Sequence, residues 1–350
     1  MVQRRAKAER RRFDFGEDGR SEGGRFDTTL VRRASGGKLS NHKEGASSTS
    51  RTVGFTVAAV QDTPSFLDRS ATLDLVAASV ADAARDGADL VVFPESFVPG
   101  YPDWVWRRPP MSDGEWYERF SAQAVDVDGT DLDPVLEAAR AAGVWVALGV
   151  TERVRSGSLY NTVVYVNDRG EVAARHRKLV PTGAERLVWA NGYDNVLATV
   201  DIGGVRVGAL ICWENYMPLA RVAMYEQGVD VLLAPTWDNS DEWVPTLRHI
   251  AKEGQLFVVG VTAYLRGCDV PRDLPDADEL YGGEDDLMSR GNTSIVAPGG
   301  EVIAGPLTGT AGVVAATLDL SRISSGRRMF DPVGHYSRPD VLTLDRNETI

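Results

Sequence analysis

The chain has 350 residues, 43% of them hydrophobic and 25% charged, the balance of an ordinary globular protein. A net charge of −12 excludes a generally basic nucleic-acid or anionic-membrane binder, and no apolar run approaches the roughly 18 residues of a spanning helix. Two cysteines cannot build a disulfide framework, and four histidines without paired His/Cys spacing give no structural zinc site.

Charge is unevenly spread. Residues 1–51 hold 13 Lys/Arg against 7 Asp/Glu, and the remainder is correspondingly acidic. The segment is rich in Arg, Gly, Ser and Glu with isolated hydrophobics, so it cannot bury enough apolar area to offset its ordering entropy. It reads as a disordered basic extension without the apolar core of a secretory signal. A nucleic-acid arm over Arg4–Arg33 and a later translation start are the competing readings.

From Thr52 the pattern changes. Thr52–Gln61 is an apolar, β-rich run fit for a buried strand. Asp68–Arg85 places Leu73, Val76, Val80 and Ala83 on one helical face, with Gly87 beyond its end. Asp89–Pro94 is a second buried strand, Asp131–Ala142 a helix and Val144–Val150 a strand. Tyr160–Val166 and Glu171–Lys178 flank a turn-like Asn-Asp-Arg-Gly run, which predicts a hairpin. Val205–Cys212 is a strand, Met217–Gln227 a helix, Val229–Ala234 a strand, Asp241–Gly254 a helix and Leu256–Ala263 a strand. Asn292–Ala297, Glu301–Ile303 and Gly312–Leu318 complete the strands. Helices alternating with apolar strands, then hairpins, predict a layered α/β domain with a mixed sheet.

In such sheets active groups gather outside the carboxyl ends of strands. Glu95, Lys178 and Cys212 each occupy that position, widely separated in sequence. Cys212 sits on a sharp strand-to-helix turn, where a helix N-terminus and a nearby ammonium would favour the thiolate; taken alone, a cysteine ending an apolar strand is more often a small buried hydrophobe. Cys268, in a polar loop, has no partner that the sequence identifies. His176, His249 and His335 show no dyad spacing with Cys212, so the base must be a carboxylate. Glu95, buried beside an apolar strand with a lysine to hold its pKa down, fits that part.

FPESFVPGYP around Glu95, HRKLVPTGAERLVWANG around Lys178 and GALICWENYMPLAR around Cys212 resemble the three catalytic segments of the nitrilase superfamily. The resemblance extends from about Thr52 to Leu344, the chain outside the basic extension. It implies a four-layer αββα sandwich and a Glu-Lys-Cys triad that acts on carbon–nitrogen bonds with no cofactor or metal. On the match, Glu95 is the general base, Lys178 the cation that stabilises developing charge, Cys212 the nucleophile and Glu185 a second glutamate that supports the lysine. CWENYMPLARVAMYEQG, the Tyr101-Pro102 pair, Ser289–Leu307 and Phe330–Leu344 look like the nitrilase branch. Asn292 is a departure, since a small residue is expected there.

The resemblance implies hydrolysis of a small-molecule organic nitrile to a carboxylic acid and ammonia through a thioimidate and a thioester on Cys212. The alternatives are an aliphatic amidase, a carbamoylase or a cyanide dihydratase on the same fold; a catalytically silent scaffold would not need all three triad residues. Tyr101, Trp104, Trp106, Trp189, Trp213 and Trp237 cluster near the motifs and suggest an apolar pocket, with Tyr101, Trp213 and Trp237 the candidate substrate-binding residues. Residues 52–320 are expected to form the hydrolase domain. The tail, residues 321–350, is expected at a homo-oligomer interface, in a dimer or a larger, even helical, assembly. A cytoplasmic enzyme with no nucleic-acid or membrane partner completes the expectation.

Overall fold

The computed structural model describes residues 54–283 and 286–345; the basic extension read over 1–51 lies outside the described residues. In chain order, β1 (Phe55–Gln61), α1 (Arg69–Arg85) and β2 (Leu90–Val92) lead into α2 (Gly114–Ala122) and α3 (Asp133–Ala142). Strands β3 (Trp145–Arg153), β4 (Leu159–Val166), β5 (Val172–Arg177), β6 (Thr199–Ile202) and β7 (Val205–Ala209) follow. Next come α4 (Pro218–Glu226), β8 (Val231–Thr236), α5 (Trp243–Gly254), β9 (Phe257–Thr262) and β10 (Tyr264–Arg266). The chain continues with α6 (Ala277–Leu280), β11 (Leu287–Ala297), β12 (Glu301–Thr308), β13 (Gly312–Leu318) and α7 (Ser321–Met329).

Two sheets form. The first runs β13-β1-β2-β3-β4-β5 and the second β10-β11-β9-β8-β7-β6, with β12 on β11. Strands β1, β2 and β3 are parallel, as are β7, β8 and β9. The turns before and after β4 each reverse the chain, so β5 runs in the direction of β3.

Side chains alternate across a strand, and here both faces are covered. Val57 and Ala59 of β1 meet Val231, Leu233, Phe257 and Val259 of the other sheet in a central core. Ala58 and Val60 point the other way, to Leu73, Val76 and Val80 of α1 and Val135 and Ala139 of α3. On the far side, Leu232, Ala234 and Val258 pack under Ala220 and Met224 of α4 and Trp243, Leu247 and Ile250 of α5. Strands buried on both faces read as continuous apolar runs, as these do. The result is the expected αββα sandwich.

Local signals set the element ends. Asp68 caps α1 by accepting from the Ala71 N–H at 3.0 Å. Two strand ends fall short of expectation. β5 stops at Arg177 and β7 at Ala209, so that Lys178 and Cys212 stand on the loops just beyond. β12 runs to Thr308 instead of Ile303, because its half-exposed residues pair along β11 without an apolar alternation that the sequence could show. α2 was not expected: Trp116 and Phe120 are its only buried residues. Asn292, the departing residue, ties β11 to the Ser240 carbonyl through its side-chain amide at 3.0 Å.

The tail is partly folded back. Ile323 of α7 enters the central core and Val333 packs on the α4/α5 core, while Tyr336, Val341 and Leu342 are exposed.

Candidate active site

The carboxyl ends of β2, β5, β7 and β8 lie at one edge of the sandwich, and the polar residues after them meet there. Phe93 and Pro94 carry the chain from β2 to Glu95. β3 lies so close that a Cβ on Gly149 would sit 2.0 Å from the Pro94 carbonyl oxygen; glycine is required there. Lys178 directly follows β5, and its N–H donates to Asn161 of β4 at 2.8 Å. Cys212 opens a 3-10 turn, Cys212–Tyr216, with φ +51°, a left-handed conformation that side chains other than glycine rarely adopt. Asn215 holds this turn by donating to the carbonyls of Leu210 at 2.7 Å and Cys212 at 2.9 Å.

Lys178 joins the site. Its ammonium donates to Glu95 Oε1 at 2.8 Å and to Glu185 Oε2 at 2.8 Å, with all three side chains buried. An ammonium has three N–H donors, and one remains for other charge. Glu185 stands on a 3-10 turn, Gly183–Leu187, and accepts from the Thr182 N–H at 2.6 Å and the Tyr101 hydroxyl at 2.8 Å. Glu95 Oε1 also accepts from Asn161 Nδ2 at 2.8 Å, and Oε2 from the main-chain N–H of Trp237 at 2.8 Å. One oxygen each of Glu95 and Glu185 and the Cys212 sulfur lie within 4.8 Å of one another. Two carboxylates and a thiol could hold a metal ion, but the Lys178 ammonium already bonds both carboxylates.

Burial raises the Glu95 pKa above the ordinary carboxylate range, against the pull of Lys178, and Glu185 raises it further. The Lys178 ammonium is itself disfavoured by burial, but Glu95, Cys212 and Glu185 outweigh this and raise its pKa. The Cys212 thiol is pushed up by burial and by Glu95, with Lys178 opposing. This corrects the expectation of a resting thiolate. Burial and the Glu95 carboxylate thus favour the protonated thiol at this site.

A cavity of about 370 Å³ opens onto Cys212 and Glu185, walled by Tyr101, Trp106, Trp213 and Trp237 and edged by Asp103, Thr182, Asp238 and Ser240. Tyr101 and Trp237 stack at 4.7 Å with planes 7° apart. Trp106 donates to the Tyr101 hydroxyl at 3.0 Å and closes over Gly183, where a Cβ would lie 2.6 Å from its ring. Tyr101, Trp213 and Trp237 thus share one cavity with Cys212. Trp104 and Trp189 do not line it: they are buried behind it, with Trp189 edge-on to Tyr101 at 5.7 Å. Cys268 is exposed and does not line the cavity. Sequence reasoning missed Asn161 and the Trp237 N–H, which hold Glu95 in place, and the buried Glu214 of the Cys212 turn; no local pattern marks any of them.

The family model for carbon-nitrogen hydrolases matches residues 56–328. The chain is 40% identical to an aliphatic nitrilase of Sinorhizobium fredii over 296 residues, covering 83% of this chain and 94% of that one. It is 38% identical to a bifunctional nitrilase/nitrile hydratase of Nicotiana tabacum, covering 86% of this chain and 87% of the other. Among solved structures, a carbon-nitrogen hydrolase from Helicobacter pylori has the same fold, with a TM-score of 0.64 and 20% identity, covering 82% of this chain and 96% of that one.

Proposed function

Because the chain belongs to the nitrilase branch of the carbon-nitrogen hydrolase family, we propose that Glu95, Lys178, Cys212 and Glu185 form the active site of a nitrilase that converts an organic nitrile and two waters to a carboxylic acid and ammonia. The observation that carries this assignment is the convergence of the Cys212 thiol, the Glu95 and Glu185 carboxylates and the Lys178 ammonium, with Cys212 and Glu185 opening onto one cavity. Glu95 takes the Cys212 proton as the sulfur attacks the nitrile carbon and passes it to the nitrile nitrogen, giving a thioimidate and a free carboxylate. Lys178, with the N–H after Cys212, meets the charge that develops on nitrogen. Glu95 then removes a proton from water, which adds to the thioimidate carbon. Ammonia leaves a thioester, and a second water releases the acid and restores the thiol. If the tetrahedral intermediate loses sulfur instead of ammonia, an amide departs, so a minor amide product is expected. Glu185 holds the ammonium through a second carboxylate contact at 2.8 Å.

The aromatic walls support a short aliphatic or arylacetonitrile as substrate, bound by Tyr101, Trp213 and Trp237. Such a nitrile should yield mainly acid and ammonia, whereas the corresponding amide offered as substrate should react far more slowly. EDTA should have no effect, since Lys178 already supplies the cation. Quantifying ammonia, acid and amide on one preparation tests this; faster turnover of the amide than of its parent nitrile would place the protein with the amidases.

We read the enzyme as cytoplasmic, where its thiol stays reduced, and as a homo-oligomer whose tail reaches a neighbour through the exposed Tyr336, Val341 and Leu342. Ending the chain at Met329 keeps α7 and Ile323 in place. Light scattering should then show a smaller particle, and an unchanged particle mass rejects the role of the tail.

A further inference from the structure

A buried polar pair lies between the Lys178 and Cys212 loops, and no step above uses it. Glu214, in the Cys212 turn, and His176, two residues before Lys178, are both fully buried. Glu214 Oε2 accepts from the main-chain N–H of Ile211 at 2.5 Å and lies 2.9 Å from His176 Nε2. Glu214 Oε1 accepts from the Leu179 N–H at 2.6 Å. His176 Nδ1 accepts from the Leu197 N–H at 2.9 Å. A ring nitrogen that accepts carries no proton, so His176 is the neutral tautomer that donates from Nε2.

We propose that Glu214 and His176 are positioning residues for nitrile hydrolysis. One carboxylate ties the residues on either side of Lys178, His176 and Leu179, to Ile211, the residue before Cys212. The proposal rests on the nitrilase reading above. Its physical basis is that Lys178 and Glu95 hang from the first sheet and Cys212 from the second. The central core between the sheets is apolar, and apolar contact is non-directional. It holds the sheets together without fixing a nucleophile against an ammonium. Three short hydrogen bonds to one buried carboxylate do fix it, because each N–H left without its acceptor there costs its desolvation. With the Trp237 bond to Glu95, both the base and the cation are then referenced to the sheet that carries the sulfur. The position of Lys178 also bears on the thiol, whose proton it helps to release.

The test compares His176→Leu, which cannot donate to Glu214, with His176→Gln, whose amide N–H can. Three quantities are measured: kcat per active site titrated as trapped acyl-enzyme, KM, and the rate at which iodoacetamide alkylates Cys212, followed by mass spectrometry. A misplacement of about 1 Å costs on the order of 100-fold. His176→Leu should therefore lose about that factor in kcat per titrated site with KM within about threefold. Its Cys212 should alkylate about fivefold or more slowly than wild type at the same pH, and His176→Gln should recover most of both losses. A merely structural role would lower the melting temperature and the titrated fraction while leaving kcat per site and alkylation at wild-type values; that result overturns the proposal. If His176→Leu does not fold, His176→Asn, too short to reach Glu214, makes the same comparison. Alkylation needs no nitrile turnover. A wild-type protein inert to nitriles would count against the nitrilase reading, whereas unchanged alkylation in the variants counts against the positioning role alone.

Discussion

Replacing Cys212 by alanine should remove nitrile turnover by about 10⁴-fold or more, because no other group at the site can form the covalent intermediate. The fold should survive the change. Cys212 is buried at the end of the central core, and alanine fills most of the same space. The left-handed backbone, φ +51°, strains alanine no more than cysteine, since both carry a Cβ. Asn215 holds the turn through main-chain carbonyls, which the substitution leaves in place. Cys268→Ala provides the control: this thiol is exposed and its nearest polar partner is Asp269 Oδ1 at 3.7 Å, so activity should stay within about twofold, as for surface changes generally. Ammonia release and thermal melting of both variants decide the matter. Substantial turnover by Cys212→Ala, with its melting temperature unchanged, would remove Cys212 from the mechanism.

The site was unevenly legible in the sequence, for physical reasons. Glu95, Lys178 and Cys212 each follow an apolar strand, and strand direction alone sends their side chains to one edge. Their partners follow no such local rule. Asn161 reaches Glu95 across 66 residues, His176 meets Glu214 across 38, and Trp237 reaches Glu95 across 142. These bonds depend on strand register or on how the two sheets stack, which hydrophobic periodicity does not encode. The expected thiolate failed for a related reason. Sequence reasoning set a lysine and a turn against the thiol proton, but burial, the largest influence, and the Glu95 carboxylate both raise the thiol pKa, and how deeply Cys212 is buried depends on the stacking of the sheets. Among the elements, α1 was visible from Leu73, Val76 and Val80 on one face. α7 was not, because Ile323 is its only buried residue. A helix that buries one side chain leaves no periodic trace.

Lys178→Met should impair stability and chemistry together, and pH separates the two. The ammonium lies fully buried between Glu95 and Glu185, 2.8 Å from each. Methionine fills similar volume but leaves two buried carboxylates facing each other without a cation, and removing one partner of a buried ion pair typically costs about 3–5 kcal/mol. Glu95 already has a pKa above its ordinary 4.5, and Lys178 is the main influence that lowers it. In the variant its folded-state pKa rises further, so the native state binds a proton that the unfolded chain releases between pH 4.5 and the raised value. The stability that goes with this proton is fully present below 4.5 and is lost as pH rises through the folded pKa. The stability deficit of Lys178→Met relative to wild type should therefore be smaller at pH 4.5, where this proton is bound, than at a pH above the folded pKa. Urea melts at the two pH values measure it, and a deficit independent of pH would mean that Glu95 is not the group strained by the loss. Activity should behave differently. Protonating Glu95 relieves the repulsion but consumes the base, and the cation that met developing charge on nitrogen is gone at every pH. Turnover should stay about 10³-fold down even where stability has returned.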